Sequence, residues 1–150
     1  MKLIVACDPE GGIGYQNKLP WAKIQGDLPR FKQLTENKIV VMGKNTFVSL
    51  NYKPLPNRTN VVITRNKDDN FPPNVLVTDD IEKLADKDVW LIGGAKLIES
   101  CWDKITEIHL TKTFAKYTCD TYIDLVKLDE FSLTNEEVFT DHFYHIYKRT

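Results

Sequence analysis

Short apolar runs, separated by glycine-containing and polar segments, constrain the fold of this chain more than any other feature. Continuous apolar runs indicate strands that are buried on both faces, as in parallel sheets covered by helices. Such runs occupy residues 2–7, 39–42, 60–64, 75–77 and 89–92. The sequence therefore predicts a mostly parallel central sheet, with the connections between these runs crossing over its faces.

Helical segments are predicted in several of those connections. The first begins at Asp27, and the second follows Gly43 and runs through Leu50. A third runs from a capping box at Asp79 and Glu82 to about Ala85, and a fourth runs from Ala95 to about Cys101. Residues 107–113 alternate as a half-exposed strand does, and so do residues 131–138 and 142–148. A turn at Thr140 and Asp141 would make the last two an antiparallel hairpin at the sheet edge. We expect one α/β domain over residues 1–150, with helices on both faces of the sheet.

Composition narrows the possible function classes. A chain of 150 residues with 42% hydrophobic content can bury a core without disulfides or metal. Its net charge of −1, with both signs interspersed, argues against a protein that binds nucleic acid through bulk charge. Three widely spaced cysteines indicate a reduced, cytoplasmic compartment, and three histidines without ligand spacing indicate no metal site. We expect neither a signal peptide nor a membrane span, and a monomer is the default.

One acid stands out in the stretch from Leu19 to Leu34. Asp27 and Phe31 are four residues apart and share a helix face, which Leu28 and Leu34 flank at core-like spacing. The charges of Arg30, Lys32 and Glu36 are predicted to lie on other sides of this helix. Two interpretations of Asp27 are open: a residue that caps its helix, or a lone carboxylate in an apolar cleft that is available for proton chemistry. The presence of Gly26, an alternative cap, keeps the second interpretation open.

Glycines at strand ends suggest phosphate binding. Gly93 and Gly94 follow a buried run and open a helix, and the segment from Gly43 to Thr46 repeats this design. Each could be an ordinary turn that needs glycine for its backbone, or a site where the backbone approaches a phosphate. No acid that would grip a ribose 2′-hydroxyl follows the second or third strand. Lys44, Thr64 and Arg65 stand there instead and favour a 2′-phosphate, which predicts NADPH over NADH.

Several motifs together resemble the dihydrofolate reductase family, over nearly the whole chain. They are Leu19-Pro-Trp21, Asp27-Leu28 with Phe31-Lys32, Met42-Gly-Lys-Asn-Thr46, Pro54-Leu-Pro-Asn-Arg58, Ile92-Gly93-Gly94 and Leu110-Thr111. The resemblance implies hydride transfer from NADPH to 7,8-dihydrofolate, giving tetrahydrofolate for one-carbon metabolism. Alternatives are another NADPH-dependent reductase of this fold, such as the pyrimidine reductase of riboflavin synthesis, and a non-catalytic nucleotide-binding protein.

The resemblance also implies roles for particular residues. The catalytic set is Asp27 as the acid that binds the pterin ring, Thr111 behind it, and Trp21 and Leu19 on a flap over the ring. The implied substrate-binding residues are Ala6, Asp27, Leu28, Phe31, Lys32, Ser49, Leu50, Leu55, Arg58, Ile92 and Thr111, with Arg58 gripping the glutamate tail. The implied cofactor-binding residues are Cys7, Ile13, Gly14, Asn17, Gly43, Lys44, Asn45, Thr46, Thr64, Arg65, Ile92, Gly93, Gly94, Ala95, Lys96, Leu97 and Ile98. Asp120 and Thr121 match a distal loop that backs the flap.

The chain departs from the family pattern at three places. One extra residue separates Trp21 from Asp27 relative to many bacterial members, so the exit of the flap differs. Lys44 replaces a common arginine and would meet a phosphate as a point charge. Ile98 stands where an aromatic ring often lies near the nicotinamide. In the family the peptide bond that corresponds to the one between Gly93 and Gly94 is cis.

Overall fold

The computed structural model describes residues 1–66, 68, 70–84 and 88–150. The strands in this part of the chain are β1 (Lys2–Cys7), β2 (Gly12–Gly14), β3 (Ile39–Gly43), β4 (Thr59–Ile63), β5 (Leu76–Thr78), β6 (Val89–Gly93), β7 (Glu107–Thr113), β8 (Thr121–Tyr122), β9 (Phe131–Val138) and β10 (His142–Arg149). The α-helices are α1 (Asp27–Thr35), α2 (Lys44–Ser49) and α3 (Ala95–Ser100). Shorter 3-10 segments cover Ile81–Leu84, Trp102–Lys104 and Leu125–Glu130.

The central sheet has the predicted architecture. Its strand order is β5-β4-β3-β6-β1-β7-β10-β9, and neighbours from β5 through β7 run parallel. Strand β10 is antiparallel to both β7 and β9, so the chain ends in the predicted edge hairpin. Thr111 of β7 lies opposite Tyr144 of β10 in this register. The expected α/β fold with a mostly parallel sheet is confirmed.

Helices cover both faces of the sheet because successive strand residues point to opposite sides. Val40 and Met42 of β3 enter one core cluster, which also holds Phe47 of α2 and the partly buried Leu34 of α1. Val41 enters the other cluster, which holds Ile98 of α3 and the fully buried Cys7. Helices α1 and α2 therefore share one face of the sheet, and α3 covers the other.

Two local predictions are wrong. Strand β7 is mostly buried, with Ile108, His109, Leu110 and Thr111 below 9% exposure, because it lies between β1 and β10 with both faces covered. The capping box does not form at Asp79. The side chain of Asp80 instead accepts a hydrogen bond from Glu82 N at 3.1 Å and precedes a single 3-10 segment, while the predicted end at Ala85 lies outside the described residues.

The structure also describes the three histidines and the helices, for which the sequence predicts neither a metal site nor a membrane span. His109, His142 and His145 all lie in strands and are buried, and no group of three potential metal ligands occurs among the described residues. None of the helices in the described ranges is long and apolar enough to cross a membrane.

Candidate active site at the carboxyl edge of the sheet

The carboxyl ends of the parallel strands bring most of the predicted site residues together. Strands β1, β3, β4 and β6 end at Cys7, Gly43, Ile63 and Gly93 on the same edge of the sheet. Such an edge is the usual ligand-binding position in open α/β sheets. The segment of residues 8–26, here called the flap, leaves this edge from β1 and leads into α1.

Asp27 points into this edge and does not cap its helix. Gly26 occupies the N-cap position with a φ of 81°, and Asp27 is the first helical residue. The hydroxyl of Thr111, on β7, donates a hydrogen bond to Asp27 Oδ1 at 2.6 Å. The Asp27 side chain is 28% exposed, so a ligand can reach it. This geometry favours the second of the two interpretations, a carboxylate available to a ligand.

The prediction that Arg30 lies on a different side of α1 from Asp27 is wrong. Its Nη1 lies 3.8 Å from Asp27 Oδ1 and donates to Thr111 Oγ1 at 3.4 Å. Residues three apart are neighbours on a helix surface, and the long side chain closes the remaining gap. Arg30 is therefore a second ionisable side chain beside Asp27 at this edge of the sheet.

Aromatic residues of the C-terminal hairpin hold Arg30 in place. The guanidinium carbon lies 4.0 Å from the ring centroid of Tyr144 and 5.1 Å from that of Phe139. Its Nη2 lies 3.4 Å from His142 Nε2. Burial raises the pKa of the Tyr144 hydroxyl to about 12, although the charge of Arg30 opposes this shift.

The flap is anchored at its base by Asp8. The buried carboxylate of Asp8 accepts hydrogen bonds from the backbone N–H groups of Glu10 and Gly12, both at 2.9 Å, and of Tyr117 at 3.1 Å. Burial opposes ionisation, but the N–H donors of Tyr117, Gly12 and Glu10 together with Lys116 hold the pKa of Asp8 below its ordinary value. The start of the flap is thereby tied to the loop after β7.

The predicted contact between the flap and the distal loop is present. Strand β2 pairs with β8, and the N–H of Gln16 donates to Asp120 Oδ2 at 2.8 Å. This N–H group, followed by the Thr121 hydroxyl, lowers the pKa of Asp120. Trp21 is buried and meets Tyr117 edge to face at 5.6 Å, whereas Leu19 is 65% exposed.

Arg58 is held in a fixed orientation beside α1. Its Nε donates to Thr35 Oγ1 at 2.9 Å, its Nη1 donates to Pro56 O at 3.0 Å, and its guanidinium lies 5.7 Å from the ring of Phe31. The loop that carries it is clamped by the buried Asn60, whose side chain exchanges two hydrogen bonds of 3.0 Å with the backbone of Leu55.

The two predicted phosphate-binding turns lie side by side. Gly43 and Gly93 end neighbouring strands, and a Cβ built at Gly94 would lie 3.4 Å from Thr46 Oγ1. Gly93 has a φ of 136°, which L-residues rarely adopt. The peptide bond between Gly93 and Gly94 is cis. Both turns open helices of only six residues, α2 and α3.

Lys44, at the start of α2, has an acidic neighbour. Its Nζ lies 3.1 Å from Asp68 Oδ2 and donates to Asn66 O at 3.3 Å. The N–H of Asn70 and the Lys44 ammonium lower the pKa of Asp68. Thr64 and Arg65 follow β4 at the same edge, and Arg65 is exposed. A phosphate that binds Lys44 would therefore compete with Asp68.

The remaining predicted site residues differ in accessibility. The prediction that Leu28 flanks a buried face is wrong, because it is 74% exposed. Cys7 and Ile98 are core residues at 0% and 2% exposure, so their side chains have almost no surface for a ligand. Partly buried residues are Ala6, Ile13, Gly14, Phe31, Leu50, Leu55, Ile92, Ala95 and Leu97, and exposed ones are Asn17, Lys32, Asn45, Ser49 and Lys96.

Sequence reasoning missed several residues that shape the site. Asn60 had a visible signal, because it is a polar residue in an otherwise apolar strand and such residues need hydrogen-bond partners. Asp8, directly after β1, had a weaker signal of the same kind. Thr35, His142 and Tyr144 had none, since their roles depend on contacts with residues distant in the chain.

Comparison with known proteins gives a consistent result. The dihydrofolate reductase family model matches residues 1–148. Dihydrofolate reductase type 8 of Escherichia coli is 35% identical over 159 aligned residues, covering 97% of this chain and 94% of that protein. The dihydrofolate reductase of Ureaplasma parvum serovar 3 is 32% identical, covering 98% and 96% respectively.

Two further matches differ in kind. A bifunctional dihydrofolate reductase-thymidylate synthase of Paramecium tetraurelia is 41% identical over 128 residues, and the aligned part spans only 28% of that protein. Among solved structures, dihydrofolate reductase from Enterococcus faecalis, complexed with NADP(H) and RAB-propyl, matches with a TM-score of 0.86 at 30% identity. That match covers 99% of this chain and 95% of the other.

Proposed function

Because this chain belongs to the dihydrofolate reductase family, we propose that the carboxyl edge of its sheet binds dihydrofolate beside α1. Asp27 would be the acid that binds the pterin ring and promotes its protonation. The activity is the reduction of 7,8-dihydrofolate to 5,6,7,8-tetrahydrofolate, for which NADPH supplies the hydride when it is bound. The observation that carries the proposal for Asp27 is its hydrogen bond with Thr111, which turns the carboxylate away from its own helix and toward the cleft.

The residues at the second and third βα turns fit a phosphorylated dinucleotide. The turns at Gly43 and Gly94 are adjacent, and Gly93 has a backbone conformation that L-residues rarely adopt. Lys44, Thr64 and Arg65 would hold the 2′-phosphate, and Thr46 with Gly94 and Ala95 would hold the pyrophosphate. Lys44 would exchange its contact with Asp68 for one with the phosphate.

Asp27 would promote protonation of the ring nitrogen, directly or through a water molecule, and would anchor the ring through a hydrogen bond. Thr111 fixes the position of one carboxylate oxygen, so the other oxygen is available to the ring. Trp21 and the flap would exclude water from the reacting atoms. Phe31, Leu50 and Leu55 would form the apolar wall of the pocket, and Arg58 would bind the carboxylate of the substrate's glutamate tail.

The remaining parts of the proposal concern organisation and surroundings. Residues 1–150 would form one domain whose partner is the small-molecule substrate. We expect a monomer without affinity for nucleic acid, since the net charge is −1 with both signs interspersed. Cys7 and Cys101 are buried free thiols and Cys119 is a partly buried one, which supports a cytoplasmic location.

Replacing Asp27 by Asn tests the central assignment. The variant should bind NADPH normally but lose proton assistance, so turnover at neutral pH should fall by about 10²–10⁴-fold. The loss should shrink at low pH, where solvent supplies the proton. Turnover is measured from the absorbance of NADPH mixed with dihydrofolate, and cofactor binding is measured separately by titration.

A matched control is Asp103→Asn, which removes an exposed carboxylate from the 3-10 segment Trp102–Lys104. This control should behave as the parent chain does. Full turnover of the Asp27→Asn variant at neutral pH would show that the carboxylate has only a structural role. Binding of NADPH without any turnover by the parent chain would instead favour the non-catalytic alternative.

A further inference from the structure

Arg30 brings a second, opposite charge to the pterin-binding acid. Its guanidinium lies 3.8 Å from Asp27 Oδ1 and donates a 3.4 Å hydrogen bond to the same Thr111 hydroxyl that donates to Asp27. Thr111 therefore accepts from the cation and donates to the anion. This arrangement orders the hydroxyl and directs its single proton at the carboxylate.

The position of Arg30 is imposed from its far side. The Arg30 side chain is only 16% exposed and lies against Tyr144 and Phe139, within the distance at which cations are attracted to aromatic faces. His142 is the third side chain of the hairpin that contacts the guanidinium. Its ring is stacked on Phe139 with an interplanar angle of 6°, so three side chains of the C-terminal hairpin define where the guanidinium lies.

The hydrogen bonds of His142 determine which ring nitrogen faces Arg30 and whether that nitrogen accepts a hydrogen bond. Its Nδ1 lies 2.6 Å from Asp141 Oδ1, and a carboxylate can only accept, so Nδ1 carries a proton. In the neutral ring Nε2 is then an acceptor, directed at Arg30 Nη2 at 3.4 Å. The His142 bond, reinforced by the N–H of Gln25, holds the pKa of Asp141 below its ordinary value.

We propose that Arg30 is a positioning residue for the reaction: together with Thr111 it fixes Oδ1 of Asp27, so that Oδ2 is presented to the substrate ring. Within the described residues, no side chain or backbone donor binds Asp27 Oδ2, which fits its assignment to the ligand. The inference rests on the proposed role of Asp27.

Other titratable groups surround this pair and must be separated from its effect. From the packed elements they are Glu107 and His109 on β7, Glu137 on β9, Asp141 before β10, and His142 and Tyr144 on β10. Glu107 bonds to His109 Nε2 at 2.8 Å, and His109 bonds to the Tyr144 hydroxyl. Arg30 is the only cation placed within salt-bridge distance of Asp27 among the described residues.

The test is the steady-state kinetics of Arg30→Met and Arg30→Gln, with NADPH saturating and dihydrofolate varied. Methionine keeps an unbranched chain that can pack on Tyr144, and glutamine is a second neutral variant should methionine impair folding. Without Arg30 the Thr111 hydroxyl and Asp27 Oδ1 lose the group that orders them, so we expect weaker binding of dihydrofolate and unchanged binding of NADPH.

The KM for dihydrofolate in these variants should rise by about 2–10-fold, because Thr111 and Asp27 lose a shared partner. Arg30→Lys keeps the charge and should restore most of the affinity for dihydrofolate. The control Lys38→Met removes the same charge just before β3, at the amino ends of the parallel strands, where Lys38 pairs with Asp88, and should leave this KM unchanged.

The outcomes separate this inference from the proposed function. A KM for dihydrofolate equal to that of the parent chain in both neutral variants, even with a lower melting temperature, would overturn the role of Arg30. An equal rise in Lys38→Met would also overturn it, because the effect would then be one of net charge. Full turnover of Asp27→Asn would refute the proposed function and this inference together, whereas an inactive Asp27→Asn beside an unchanged KM in Arg30→Met refutes this inference alone.

Discussion

Arg58→Ala is the substitution whose effect on the proposed substrate site can be worked out most fully. An arginine has five N–H donors, and two of those of Arg58 are engaged, by Thr35 and Pro56. The three that remain have no partner among the described residues and are held in a fixed plane. A planar donor group that is already oriented is suited to a carboxylate, because two parallel hydrogen bonds can form with little further ordering.

The cost of the substitution can be divided between binding and folding. Loss of a charge-assisted pair with the substrate's carboxylate costs about 1.5–3 kcal/mol, which raises the KM for dihydrofolate by about 10–150-fold. The folding cost is smaller, because the buried hydroxyl of Thr35 keeps its bond of 2.7 Å to Phe31 O. We expect the free energy of unfolding to fall by only about 0.5–1.5 kcal/mol.

The assay compares steady-state kinetics for dihydrofolate and for a dihydropterin that lacks the glutamate tail. Arg58→Ala should raise the KM for the tailed substrate, leave its kcat nearly unchanged, and barely affect the tailless one. Thr35→Val keeps the guanidinium but removes the acceptor of its Nε, so its KM should rise by about 2–10-fold. Equal impairment of both substrates in Arg58→Ala would refute the reasoning and show that Arg58 supports its loop.

Two further predictions concern cofactor choice and the base of the flap. The kcat/KM with NADPH should exceed that with NADH by more than about tenfold. Lys44→Gln should reduce kcat/KM with NADPH and leave kcat/KM with NADH nearly unchanged, as measured with both cofactors side by side. Asp8→Asn should lower the free energy of unfolding by about 1–3 kcal/mol near neutral pH, because an amide cannot satisfy three N–H donors as the carboxylate does. Since the folded pKa of Asp8 lies below its ordinary 3.8, this stabilisation is complete above about pH 3.8 and is lost as pH falls through the folded value, so chemical unfolding of parent and variant should converge in acid.

The sequence by itself determined the strands, their mostly parallel arrangement and the places where the chain leaves the sheet. These features follow from local causes. Apolar runs such as that of β3 can be stable only when both faces are covered, and a residue such as Gly93 marks a turn whose backbone other residues rarely adopt. The family motifs then indicated Asp27 and Arg58, because their spacing is fixed along the chain.

Only the tertiary structure decided which neighbours these residues have. Helix periodicity places Arg30 on another side, but its side chain reaches Asp27 and is held there by Tyr144, which is more than a hundred residues away in the chain. The orientation of Arg58 depends in the same way on Thr35, and its loop on the buried Asn60. Periodicity reports which face of an element is buried, whereas the direction of a long charged side chain is set by the partners that packing brings to it.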